Sequence, residues 1–181
     1  MSITERIMPN TVDNQSRELK SNVATIAAVL SSKSFPSGDR AALKRMNLNR
    51  FPPLCFYQFA TRHLPNCWSD SLNLWQCLVQ GMAWMSTIPN FHRPDSAHSF
   101  GLVLAVQRYS EARLERLLAA DDDIRPVLVL SATRFLTAKY TPVNWNDIAI
   151  LLFTCDDRER ERFNMNIATH YFSKKAELDK E

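Results

Sequence analysis

Glycine is scarce in this chain: three occur in 181 residues, Gly38, Gly81 and Gly101. A loop that cradles phosphate needs glycine where backbone and ligand approach closely, so a P-loop or a dinucleotide fingerprint is excluded. Cysteine is limited to Cys55, Cys67, Cys77 and Cys155, and none forms a CxxC pair. No two histidines stand at i, i+4 either. His92, His98 and Cys67 therefore make no metal-ligand pattern, and no metal or other cofactor is expected. Cys55 and His63 are eight apart with no carboxylate placed to orient them, so a Cys/His nucleophile is unsupported and no enzymatic activity is expected. No apolar run reaches 18 residues, and the N-terminus lacks an apolar signal segment. Together these absences point to a cytoplasmic protein with reduced, mostly buried thiols and no membrane partner.

What is present is helical patterning. Apolar residues make up 45% of the chain and recur at i, i+3, i+4, which with so little glycine predicts an all-α fold: a compact helical bundle of two lobes with about seven to nine helices. A first helix is predicted over Asp13 to Leu30. A short one follows over RAALKRM, with Asp39 as its N-cap. Others are predicted over Leu54 to Leu64, Ser71 to Ser86, Ser99 to Gln107 and Glu111 to Ala120. A helix opening near Pro126, one over Trp145 to Phe153 and one from Asp156 or Asp157 complete the set. Ser99 and Ser110 read as N-caps, and Asn144 with Asp147 reads as a capping box. The expected organisation is a flexible N-terminus over 1–12, an N-terminal lobe over 13–96, a C-terminal lobe over 97–172 and a disordered tail over 173–181. The lobe boundary falls in the Pro-containing loop 88–96.

The formal charge is only +3, but it is unevenly spread. Residues 1–90 carry nine Lys/Arg against five Asp/Glu, and residues 91–181 carry thirteen against fourteen. Between Lys33 and Arg62 stand six basic residues and one acid, Asp39. A local basic patch binds phosphates even on a nearly neutral molecule.

The stretch Ser99 to Leu118, read as SFGxxLAxxxxSExRLxRLL, resembles the CasB family, the small subunit of the type I-E CRISPR surveillance complex Cascade. VNWNDIAILL followed by a charged helix ending in ATHYF resembles the family's C-terminal pattern, and GDRAALKRM resembles its early Gly-x-x-Ala-x-Leu-Arg-Arg segment. The three patches span about Gly38 to Phe172. Ala112 and Arg113 stand where the family commonly has two arginines, and Asn144 replaces the usual Asp before Trp145. The family's early Trp is absent before Lys33. The resemblance implies a non-catalytic, two-lobed helical protein that stabilises the guide RNA–target DNA hybrid and the displaced DNA strand through basic residues. Its implied partners are the large subunit, the backbone subunits, a second copy of itself, guide RNA, and target and non-target DNA.

Six basic residues are candidates for phosphate contact. Arg40, Lys44 and Arg45 lie together on the short second helix. Arg113 and Arg116 lie three apart on one face, and Arg134 on the next helix shares a face with Leu130 and Ala138. Two antiparallel helices would bring Arg113 and Arg134 together. For Arg116, pairing with Glu111, Glu115 or Asp121 to Asp123 is the competing reading. Arg158, Arg160 and Arg162 interleave with Glu159 and Glu161 and read as a solvated, self-paired face. Of the aromatics, Trp75, Trp84, Phe56 and Phe59 read as core, while Tyr109 is a stacking candidate beside arginine and Phe51 and Tyr57 remain open. The alternative function is an all-helical protein–protein adaptor without direct nucleic-acid binding. A helix-turn-helix regulator over Ala112 to Ala138 is disfavoured, because Asp121 to Asp123 in its turn would face phosphate.

Overall fold

The structure, a computed structural model, describes residues 10–180. Among them are nine α-helices and no strand, as the periodicity predicts. They are α1 (Asn10–Ser31), α2 (Ser37–Lys44), α3 (Leu54–His63), α4 (Leu72–Met85), α5 (Phe100–Val106), α6 (Glu111–Leu118), α7 (Arg125–Ala138), α8 (Trp145–Phe153) and α9 (Asp157–Leu178). Most of the N-terminus expected to be flexible, 1–12, lies outside the described residues.

Helix α4 is the centre. Every residue from Trp75 to Ala83 is buried, and α1, α2, α7 and α8 all pack on it. Burial on every face is what an almost wholly apolar helix requires. Gly81 is the point of closest approach: a Cβ there would stand 2.7 Å from the Trp145 ring and 3.2 Å from the Thr133 methyl. The apolar cluster continues without interruption from Val23 to Tyr171. It therefore crosses 88–96, which is itself stitched to the later chain. The Arg93 N–H donates to the Val143 carbonyl at 3.0 Å, and the Val143 N–H donates to the Phe91 carbonyl at 3.1 Å. The Trp145 N–H donates to His92 Nδ1 at 3.3 Å.

Several helix ends differ from the sequence expectation. Helix α2 opens at Ser37 after Pro36, so Asp39 lies in its first turn instead of capping it. Ser110 occupies the N-cap position of α6 without a side-chain cap bond. At α8, Asn144 caps as expected by accepting from the Asn146 N–H at 3.1 Å. Asp147 does not close a capping box. Its Oδ2 accepts from the Phe100 N–H at 2.9 Å, capping α5 in place of Ser99. Asp147 is placed so that an orphan donor of a different helix is satisfied, and burial pushes its carboxyl above the usual range.

The tail expected to be disordered over 173–181 is helical to Leu178. Lys175 reaches Glu111 on α6, and Lys174 pairs with Glu177 at 2.9 Å. The Lys175–Glu111 contact ties the end of α9 to the body, which a composition-based reading of KKAELDKE could not register.

Candidate nucleic-acid interface

The site begins where α2 ends. The last carbonyls of a helix have no intrahelical partner. Here α4 supplies donors: Trp84 Nε1 donates to the Lys44 carbonyl at 2.7 Å, and Gln80 Nε2 donates to the carbonyls of Lys44 and Met46. That fixes Arg45, the exposed C-cap residue, at the rim of α4. Across from it, α7 presents Arg134, whose guanidinium carbon lies 4.6 Å from the Trp84 ring centroid. Stacking occupies the face of a guanidinium and leaves its in-plane N–H donors free. Arg45 and Arg134 thus line one groove of about 460 Å³ with Asn47, Asn49, Gln80 and Trp84. Among the described residues that line it there is no carboxylate.

The other candidates divide. Arg113 and Arg116 are exposed on α6, and among the described residues neither has an ion pair. Two of the acids that compete for Arg116 are otherwise engaged: Glu111 holds Lys175, and Asp122 holds Arg125 at 2.6 Å and Arg160 at 3.0 Å. Arg113 lies 6.0 Å from the Tyr109 ring centroid. Tyr109 in turn packs on Phe135 at 5.2 Å. Arg134 and the Phe135 ring against which Tyr109 packs project from different faces of α7, because successive helical residues point about 100° apart. The two arginines rest against different rings, Arg113 by Tyr109 and Arg134 by Trp84.

Lys44 is half-buried, and burial, helped by the Arg40 charge, lowers its pKa from the usual lysine value. Arg40 turns inward. Its Nη2 donates to the carbonyls of Leu30 at 3.1 Å and Ser32 at 3.0 Å, and its guanidinium lies 5.6 Å from the Phe35 ring centroid. A cation at the C-terminal end of α1 satisfies orphan carbonyls and suits the helix dipole, so Arg40 serves the fold.

Three aromatic and basic assignments change. Tyr109 is only 3% exposed and accepts from the Tyr171 hydroxyl at its carbonyl, so it offers no free face for a base. Trp84 is half-buried and presents its face to Arg134, where periodicity alone assigns it to the core. The clue was chemical: an indole carries an N–H that needs a partner, so tryptophan favours the edge of a core. Arg160 is not self-paired with its glutamate neighbours. It joins Asp122, Asp157 and the Thr154 carbonyl, pinning the start of α9 to the α6–α7 loop. A larger groove of about 1020 Å³ runs between α1, α8 and α9, but Glu18, Asp156 and Glu159 line it, and carboxylates repel phosphate.

Comparison with protein families gives a match to the family model of CRISPR-associated protein Cse2 over residues 39–172. Comparison with curated proteins and with solved structures returns no match. The matched span opens at Asp39 in α2, closes at Phe172 in α9 and contains both arginines of the carboxylate-free groove. The chain belongs to the CRISPR-associated protein Cse2 family, the CasB small subunits of type I-E Cascade, structural subunits that are generally non-catalytic.

Proposed function

We propose that this chain stabilises the opened target within a type I-E Cascade complex, holding the guide RNA–target DNA hybrid and the displaced DNA strand by backbone contacts. The observation that carries this reading is the groove that Arg45 and the Trp84-stacked Arg134 both line, with amide and hydroxyl neighbours and no acid. Phosphate oxygens need donors without sequence preference, and guide pairing supplies the sequence. Lys44 adds charge at the same helix end, and the unpaired Arg113 and Arg116 form a second basic surface on α6. Arg40 is left out of the phosphate-binding group, because it turns inward and its Nη2 is committed to the carbonyls of Leu30 and Ser32. The large subunit, the backbone subunits and a second copy of the chain are the protein partners in this reading.

The test is reconstitution with the neighbouring genes of its operon and a guide RNA, followed by target binding across about 50 to 200 mM salt, a range over which phosphate binding changes affinity steeply. The Arg45→Ala, Arg134→Ala double variant is expected to assemble normally and bind target more weakly. Its log–log salt slope should be shallower by about 0.7 for each single-strand phosphate that is no longer neutralised. Arg158→Ala, exposed and away from the groove, is expected to bind as wild type. An unchanged slope in the double variant, with assembly intact, would favour the protein–protein adaptor.

A further inference from the structure

We propose that Phe51 is a base-stacking platform, taking the face of an unpaired nucleobase in the strand whose phosphates lie between Arg45 and Arg134. This inference rests on the nucleic-acid reading of that groove. Phe51 is 94% exposed, an expensive place to leave an aromatic ring in water. Its backbone is nevertheless preset on both sides. Before it, the Asn49 N–H donates to Asn47 Oδ1 at 2.9 Å and the Arg50 N–H donates to the Asn47 carbonyl at 3.0 Å, closing a turn. After it, Pro52 is buried, and Pro53 sits extended at φ −68° and ψ 158° as the N-cap of α3. A residue before proline is restricted to extended conformations. The ring is therefore held out on a stiff mount, and capturing a base costs little in ordering.

Position gives the ring its partner. Asn49 lines the groove, and Phe51 follows two residues later, within about 7 Å along the chain. The loop carries Arg45 and Arg50, both exposed, and no acid. Cations tracking the backbone beside an aromatic face are what single-strand binding uses, and every base offers a π-face whatever its identity. The competing occupant is an apolar pocket on a neighbouring subunit, since Leu54 beside the ring is also 73% exposed. The charge of the loop and the absence of acid in the adjoining groove favour the nucleobase.

The assembled complex distinguishes these. Target DNA carrying 5-iododeoxyuridine through its displaced strand is bound, irradiated and digested, and the cross-linked peptide is identified. The expected result is a cross-link at Phe51 that survives in Phe51→Trp and disappears in Phe51→Ala and Phe51→Leu. The last two should also bind target about fivefold or more weakly, and Phe51→Trp close to wild type. If Phe51→Leu behaves as wild type while Phe51→Ala loses subunit assembly, the ring fills a protein pocket and the proposal is overturned. If the Phe51 variants bind and cross-link as wild type while Arg45→Ala, Arg134→Ala weakens binding, the platform fails and the groove stands. If neither set changes target binding, both readings fall together.

Discussion

His92 accepts the Trp145 N–H through Nδ1, which requires that nitrogen to be unprotonated. Burial holds its pKa below the ordinary 6.5. As pH falls, the unfolded chain takes up this proton first, so stability is full above about pH 6.5 and is lost through the window just below it. His63 shifts in the same direction, and Asp147, raised by burial, acts oppositely: its protonation favours the folded state as pH falls through its elevated pKa. A difference between variants isolates His92. His92→Asn keeps an acceptor and removes the titration, so its denaturant-unfolding free energy should decline less than that of wild type between pH 7 and about pH 5. Parallel curves would assign the acid loss elsewhere. Neither the His92 bond nor the Asp147 bond was legible in the sequence, because each reaches a backbone donor about fifty positions away.

Between elements, α5 meets α9 at close range. A Cβ added at Gly101 would lie 2.1 Å from the Ile167 carbonyl oxygen and 3.2 Å from the His170 Cβ. The obstacle is backbone, which cannot rotate away as a side chain does. Gly101→Ala is therefore expected to destabilise by about 1–3 kcal/mol or more, the cost of overpacking, despite alanine's better helix propensity. Gly38→Ala, with nothing within 4 Å of the new carbon and a place in the first turn of α2, is the control and should be neutral or slightly stabilising. Thermal or denaturant unfolding of the two variants decides the matter; equal stability would mean that α9 yields. This crossing also gives the SFG motif a physical meaning: its glycine is the site where α9 touches α5. Helix existence was readable from apolar spacing, and Trp145 to Phe153 matches α8 to the residue. The caps were less readable, since Asp147 and Arg40 serve helices other than their own.

At the scale of the whole molecule, one apolar cluster spans both predicted lobes, and α4 packs on α7 and α8 across the supposed boundary. Lobes that share buried side chains such as Trp145 and Thr133 around Gly81 cannot lose one half and keep the other intact. Unfolding of the free chain is thus expected to be a single cooperative transition, with calorimetric and van't Hoff enthalpies equal. Two resolved transitions would mean that the two lobes unfold independently. Net charge belongs to this scale too. With +3 overall, attraction for nucleic acid comes from local placement, chiefly a groove whose lining excludes the acids that crowd the larger groove between α1 and α9.

Sequence by itself determined the helical class, the positions of most helices, the buried character of α4 and the family, because all of these rest on local spacing and short motifs. It also supplied the six basic candidates. Only the tertiary structure decided which of them remain available. Arg40 was drawn to the carbonyls ending α1, Arg113 and Arg134 were sent to different rings, and Arg45 was brought to the same groove as Arg134 at the end of α2 that Gln80 and Trp84 grip. The physical reason is that a helix periodicity fixes the direction of a side chain relative to its own axis. The partner it meets depends on how the axes cross, and that is settled by close packing among residues far apart in the chain.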